Sequence, residues 1–176
     1  MPQRTPLFVN SSGDLQRMQA GDTIPMSMGG VGQVINGNQS LMSGNAQIPY
    51  DSSLPLISEG QPLWSASVTP TLLTSSFEIE FTGFVDTSKI NNVVTVAIFR
   101  DSTYIGHTCA ASSGYNGAFP SPFAIKLIDT PNVLTPVVYS ARIGVNGSNV
   151  TWYLNRGAAQ TQGGSNKSGW SIKEEI

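Results

Sequence analysis

Apolar and polar residues alternate strictly around Phe77, Ile79 and Phe81, which are interleaved with Glu78, Glu80 and Thr82. Successive side chains of an extended chain leave opposite faces, so this stretch predicts a strand with a covered apolar face and two carboxylates on the other. Val93–Arg100 (VVTVAIFR) is instead almost continuously apolar at strand length. Asp101-Ser102-Thr103 reads as a turn after it and Tyr104–Cys109 as the return strand, which predicts a buried hairpin. Further strands are predicted at Leu63–Val68, Phe123–Ile128, Val137–Val145, Val150–Leu154 and Trp170–Ile176, each bounded by Gly, Pro, Asn or Asp. No segment carries an apolar stripe at spacings of three and four, so the fold class is all-β, a sandwich. In the closing stretch Trp170, Ile172 and Ile176 fall on alternate positions, which predicts a terminus held inside a sheet.

Residues 1–62 have a different texture. Their apolar residues are scattered among Gly, Pro, Ser, Asn and Met, with short strand-like pieces at Pro6–Asn10, Gly21–Met26 and Gly32–Ile35. Turn signals at Ser12-Gly13, Gly29-Gly30 and Asn36-Gly37 divide them. Such a segment buries too little apolar surface to offset its chain entropy. The expectation is an extended N-terminal arm over 1–62, ordered against another surface, followed by a β-domain over 63–176. Met18, Met26, Met28 and Met42 suit the arm to filling irregular grooves.

Composition narrows the function. Only 11% of the 176 residues are charged, against about a quarter in an average soluble domain, and 36 Ser and Thr with 12 Asn make up the polar surface. With 9 Lys and Arg against 11 Asp and Glu, net charge −2, and no basic block, nucleic acid is a poor partner. One Cys and one His exclude an internal disulfide and a zinc site built from several such ligands. No apolar h-region or 18-residue apolar run points to export or membrane insertion. The Asn-x-Ser/Thr triplets at Asn10, Asn38, Asn146, Asn149 and Asn166 are what an Asn- and Ser-rich chain produces by chance.

Candidate chemistry is sparse. His107 and Cys109, two apart on a strand, share a face as a nucleophilic pair would, but no orienting group accompanies them, and a buried free thiol is the simpler expectation. Glu78 and Glu80 share a face that reads as solvated. Asp129-Thr130-Pro131 reads as a turn whose carboxylate bonds nearby amides. Gly29-Gly30-Val31-Gly32 lacks the Lys-Ser/Thr of a phosphate loop. A glycan hydrolase needs two carboxylates across a cleft, and no such pair stands out. No catalytic residue, metal or cofactor is expected.

Five segments in their order and spacing resemble a known family: LWSASVTPTLLTSSFEIEFTGFVD (Leu63–Asp86), NNVVTVAIFRDSTYIG (Asn91–Gly106), IKLIDTP (Ile125–Pro131), VVYSARIGV (Val137–Val145) and the closing GWSIKEEI. They are similar to the C1q/TNF-like jelly-roll domains at the C-terminal ends of tailed-phage virion proteins. GDLQRMQAGDTI (Gly13–Ile24) is similar to phrases preceding repeats or knobs in phage fibre and decoration proteins. No Gly-X-Y stalk and no carboxylate cluster for calcium accompany the match.

The resemblance implies a homotrimer whose inner sheet, built from Leu63–Val68, Phe77–Val85, Val137–Val145 and Trp170–Ile176, surrounds a three-fold axis. Tyr139, Arg142, Trp170 and Ile172 would then lie at the contact between copies, where Arg142 or Lys173 would meet Glu174 or Glu175 of a neighbour. Few charges and edges without Lys-rich protection also favour association. The expected function is a capsid decoration or cement protein on the virion surface. Its arm would dock on the major capsid protein or other virion proteins through Leu7, Phe8, Ile24 and Met26. The alternative is a tail-fibre or spike tip, in which Tyr115 and Phe119 of the loop Ser112–Ser121 meet a host surface glycan or protein.

Overall fold

Every strand expected after residue 62 is present, and two more join the same sheets from the segment expected to be an arm. The computed structural model describes the backbone at residues 7–9 and 15–17 and the chain at 31–111, 120–157 and 166–176. It divides into two units, Met1–Gly30 and Val31–Ile176. In the first, β1 (Leu7–Val9) pairs antiparallel with β2 (Leu15–Arg17), Leu7 opposite Arg17.

The second unit holds β3 (Val31–Gln39), β4 (Met42–Gly44), β5 (Gln61–Val68), β6 (Ser76–Thr87), β7 (Val93–Arg100) and β8 (Thr103–Ala111). It continues with β9 (Ser121–Asp129), β10 (Val137–Val145), β11 (Trp152–Leu154) and β12 (Ser168–Glu175). One sheet runs β5-β10-β7-β8; the other runs β3-β12-β6-β11-β4, with β9 also on β6. The period-two pattern of β6 works as expected: Phe77, Ile79 and Phe81 are fully buried, and Glu78, Glu80 and Thr82 face outward. They meet Trp64, Val96, Ile98, Tyr139, Ala141 and Ile143 of the facing sheet in one core.

Two expectations are corrected. The boundary at 62/63 is wrong, because β3 and β4 are integral strands and Ile48 is buried; the separate segment ends at Gly30. The four strands that the resemblance puts in one inner sheet fall two and two: β5 and β10 in one sheet, β6 and β12 in the other. Their apolar faces therefore cover each other inside a single chain.

Strand β7 explains the region 45–60. Val94–Phe99 are all buried: Val94, Val96 and Ile98 point into the main core, whereas Ala97 and Phe99 point to the outer side and pack with Ile48, Ile57 and Tyr104. The connection 45–60 is thus a flap that forms a third layer over the four-stranded sheet, as a strand apolar on both sides requires. Ala46 O accepts from Val145 N at 3.1 Å, and Gly60 N donates to Gln47 O at 2.8 Å. Two glycines permit this. A Cβ on Gly144 would lie 2.5 Å from Ile48 N, and Gly60, at φ +65°, turns the chain back into β5.

The seam between β3 and β5 is closed by polar side chains. Gln33 Nε2 donates to Thr69 O at 2.7 Å, and Gln39 Nε2 donates to Leu63 O. Glu174, expected at a contact with another copy, is wholly buried here. Its carboxylate accepts from the N–H and hydroxyl of Thr71 and from Gln33 N. Burial pushes this carboxyl up, but the bonds from Thr71, Ser75 and Gln33 outweigh it and hold it below the ordinary value. At the opposite edge, Leu127 of β9 lies over Gly106 of β8.

A depressed folded-state value means that Glu174 stabilises the fold fully above the unfolded-state carboxyl value and loses that contribution as pH falls through its own lower one. Glu174→Gln is expected to cost about 1–3 kcal/mol at neutral pH. In denaturant titrations across pH, the gap to the parent should close on the acid side.

Candidate interaction surface

The flap is held by Arg142, whose Nε donates to Glu59 O and Nη2 to Gly60 O, the latter at 2.9 Å. The side chain leaves the outer side of β10 beside Ala97, so the guanidinium fork reaches the carbonyls where the flap returns to β5. The expected pairing with a neighbour's carboxylate is therefore corrected: two backbone carbonyls of its own chain take the fork. Glu59 braces the same turn by accepting from Leu56 N at 2.9 Å, and Asp51 accepts from Ser53 N at 2.7 Å. The hydroxyl and amide of Ser53 draw the Asp51 carboxyl below its usual range. The inner side of this pinned loop covers Phe99. Its other side leaves Tyr50, Leu54 and Leu56 each about 60% exposed, at 64%, 61% and 59%, within seven residues of chain. Large apolar groups grouped in this way on a pinned loop are the composition of a contact surface. Arg142 also lines a groove of about 450 Å³ with Pro62, Ser65, Val138 and Ser140.

The remaining residues expected at the trimer contact divide. Tyr139 and Ile172 have no exposed surface; they are core residues of a single chain, and the expected contact between copies is corrected for both. Tyr139 packs against Phe77 and donates its hydroxyl to Asp129 Oδ2 at 2.7 Å. Asp129 also receives Arg100 Nη1 at 2.6 and 2.8 Å. Its carboxylate therefore clasps two strands of the facing sheet in place of the local amides expected of a turn. Burial, then the bond to Asp129, holds the Tyr139 hydroxyl well above its ordinary value. Trp170 is half-buried, stacked on Trp64 with ring centroids 4.6 Å apart.

On the outer side of β8, His107 and Cys109 do share a face, as expected. Cys109 is exposed, a correction to the buried thiol: it lies on β8, the edge strand of its sheet. Tyr104 OH bonds His107 Nδ1 and Thr95 Oγ1 bonds Cys109 Sγ at 3.4 Å, so each member of the pair is engaged elsewhere. Burial, then Cys109, raises the Tyr104 hydroxyl. On the outer side of the six-stranded sheet, Lys126 Nζ sits 2.8 Å from Glu78 and 2.9 Å from Glu80. The bond to Lys126 lowers the Glu78 carboxyl and that to Glu78 raises the Lys126 ammonium, as a solvated charged face requires.

Leu7 and Phe8 lie on β1. Ile24, Met26, Tyr115 and Phe119 lie outside the described residues. Among the described residues no group of three or more His, Cys, Asp or Glu is placed to hold a metal ion, and no helix is long and apolar enough to cross a membrane. Sequence reasoning missed the flap residues Ile48, Ile57, Tyr50, Leu54 and Leu56. The available signal was β7 itself, whose second apolar face demands a cover.

No protein-family model matches the chain, and no curated protein matches it. Among solved structures it is similar to infectious bursal disease virus Gt strain, at TM-score 0.45 and 14% identity over 97% of this chain and 46% of that one. It is also similar to the T=1 particles derived from infectious bursal disease virus, at TM-score 0.46 and 13% identity over 100% of this chain and 44% of that one. The chain thus spans less than half the length of these matches.

Arg142→Ala is expected to release the flap. Amide hydrogen exchange at residues 47–60, 97 and 99 should accelerate, by an amount equivalent to roughly 1–3 kcal/mol, while the amides of β6 keep their protection.

Proposed function

We propose that the protein is a non-enzymatic structural component of a virus particle, a decoration protein of the tailed-phage kind. It attaches to the shell through residues 1–30 and associates in threes through the β-sandwich. The observation that carries this reading is the division of the chain at Gly30. The β1–β2 hairpin has strands of three residues each, and a two-stranded ribbon is marginal in water without something to pack against. A hairpin of this size in a unit of its own is suited to docking on another protein, with Leu7 and Phe8 on it and Ile24 and Met26 later in the same segment as anchors. The similarity of Gly13–Ile24 to phrases of phage fibre and decoration proteins supports the same assignment.

Association of copies adds the second element. Three weak hairpins tethered together bind with a raised effective concentration, so modest individual affinity suffices. With Tyr139 and Ile172 inside one chain, the contact is assigned to the outer side of the flap, Tyr50, Leu54 and Leu56 of one copy against another. The C1q/TNF arrangement around an inner sheet is not carried forward.

Removal of residues 1–30 should leave a folded sandwich, because the described core lies wholly within 31–176, that no longer co-sediments with particles. A truncated protein that still attaches refutes the docking role. Peptide mass spectrometry of purified particles should give a stoichiometry matched to the shell subunits; a few copies per particle would identify a tail tip instead. The double substitution Leu54→Ser, Leu56→Ser should convert the trimer to monomer in sedimentation velocity at unchanged thermal stability.

A further inference from the structure

The outer side of the six-stranded sheet carries a trough along β12, set by strand register. Gly169 stands between Asn38 of β3 and Thr82 of β6, and Ser171 stands between Asn36 and Glu80. The middle strand thus offers a glycine and a serine where its neighbours offer amides on one side and a hydroxyl and a carboxylate on the other. A Cβ placed on Gly169 would meet only Asn38 Oδ1, at 4.0 Å, so the depression is open. Its volume is about 350 Å³, and Gly37 and Trp170 complete its lining.

The geometry points to a binding site for a neutral saccharide. Asn36 and Asn38 each present a donor and an acceptor from one carboxamide, the complement of two adjacent hydroxyls, and Ser171 and Thr82 can donate or accept as a sugar hydroxyl requires. Among the described residues no side-chain hydrogen bond engages these four groups, which leaves them open to a ligand in the trough. Glu80 adds an acceptor whose charge is offset by Lys126 at 2.9 Å, so the lining favours neither an acidic sugar nor a free cation. The two outward rows of the trough, Asn36-Ser171-Glu80 and Asn38-Gly169-Thr82, carry no apolar side chain; exposed Val34 and Phe84 occupy the adjoining outward positions. The size accommodates one or two pyranose rings, at the lower end of small-ligand pockets. This site is independent of the hairpin and of the flap contact, so it stands or falls separately from the virion reading.

Heteronuclear NMR titration of the full chain with glucose, galactose, N-acetylglucosamine, cellobiose and lactose tests it, with glucuronate as the acidic control. At least one neutral sugar should give saturable shifts at the amides of residues 36–38, 80–82 and 169–171, and glucuronate should give none. Gly169→Val fills the trough in a conformation any residue adopts, and should weaken binding at least about tenfold at unchanged melting temperature. Asn38→Ala should weaken it as well. Absence of shifts with every neutral sugar, equal binding of glucuronate, or undiminished binding by Gly169→Val would each overturn the site. A change of oligomeric state in Gly169→Val without sugar binding would also overturn it, and would assign the trough to a second copy.

Discussion

Strand β7 has no solvent side, and most of the molecule's less regular structure follows from that. A sandwich of two sheets leaves each strand one wet face. With Ala97 and Phe99 fully buried on the side away from the main core, a third layer is obligatory, and among the described residues the chain between β4 and β5 supplies it. Ile48 and Ile57 complete that layer, Gly144 lets it lie close, and Arg142 fastens its end. The wet face of the cover is then where Tyr50, Leu54 and Leu56 emerge. One requirement for burial in the interior thus creates an apolar surface at the exterior.

The two edges of the sandwich are closed by different chemistry. At β3 and β5 the sheets are tied by Gln33, Gln39 and the buried Glu174, which hold carbonyls and N–H groups that would otherwise be an open strand edge. At the other side Leu127 packs over Gly106, and Asp129 clasps Arg100 and Tyr139. The ties made by Glu174 and Asp129 lie in a partly desolvated setting, where charge-assisted bonds are short and leaving either partner alone is costly. These ties specify which strand meets which, a task that interchangeable apolar contacts of the core perform poorly.

Periodicity made the regular elements legible. The bounds of β7 and β10 match the pattern of apolar residues residue for residue, and the inward side of β6 follows directly from alternation. What the pattern hid was non-local. Val31–Gln39 carries Gly, Asn and Gln where a strand is expected to carry large apolar groups, because its inward Gln33 and Gln39 serve as hydrogen-bond ties and its Gly37 lies against the Trp170 ring. Glu174 looks like a surface residue to any rule that scores charge, yet it is buried and its carboxylate accepts from Thr71 and Gln33. The candidate contact residues failed for a related cause. Alternation shows which side chains are covered but is silent on whether the cover is the same chain or another, and for Tyr139 and Ile172 it is the same chain.

The distribution of polarity over the outer faces also separates the two roles assigned here. The flap side is apolar and pinned by a few directional bonds, which suits persistent protein contact: water leaves Leu54 and Leu56 readily, and the loop is already ordered before a partner arrives. The trough on the β3-β12-β6 side is lined by amides, hydroxyls and a paired charge whose desolvation is expensive, so a dry contact over it would be costly, with exposed Val34 and Phe84 lying beyond its ends. A small ligand that returns hydrogen bond for hydrogen bond avoids that cost. The proposed contact between copies and the proposed sugar site therefore fall to opposite faces of one sandwich, and neither requires the other to be altered.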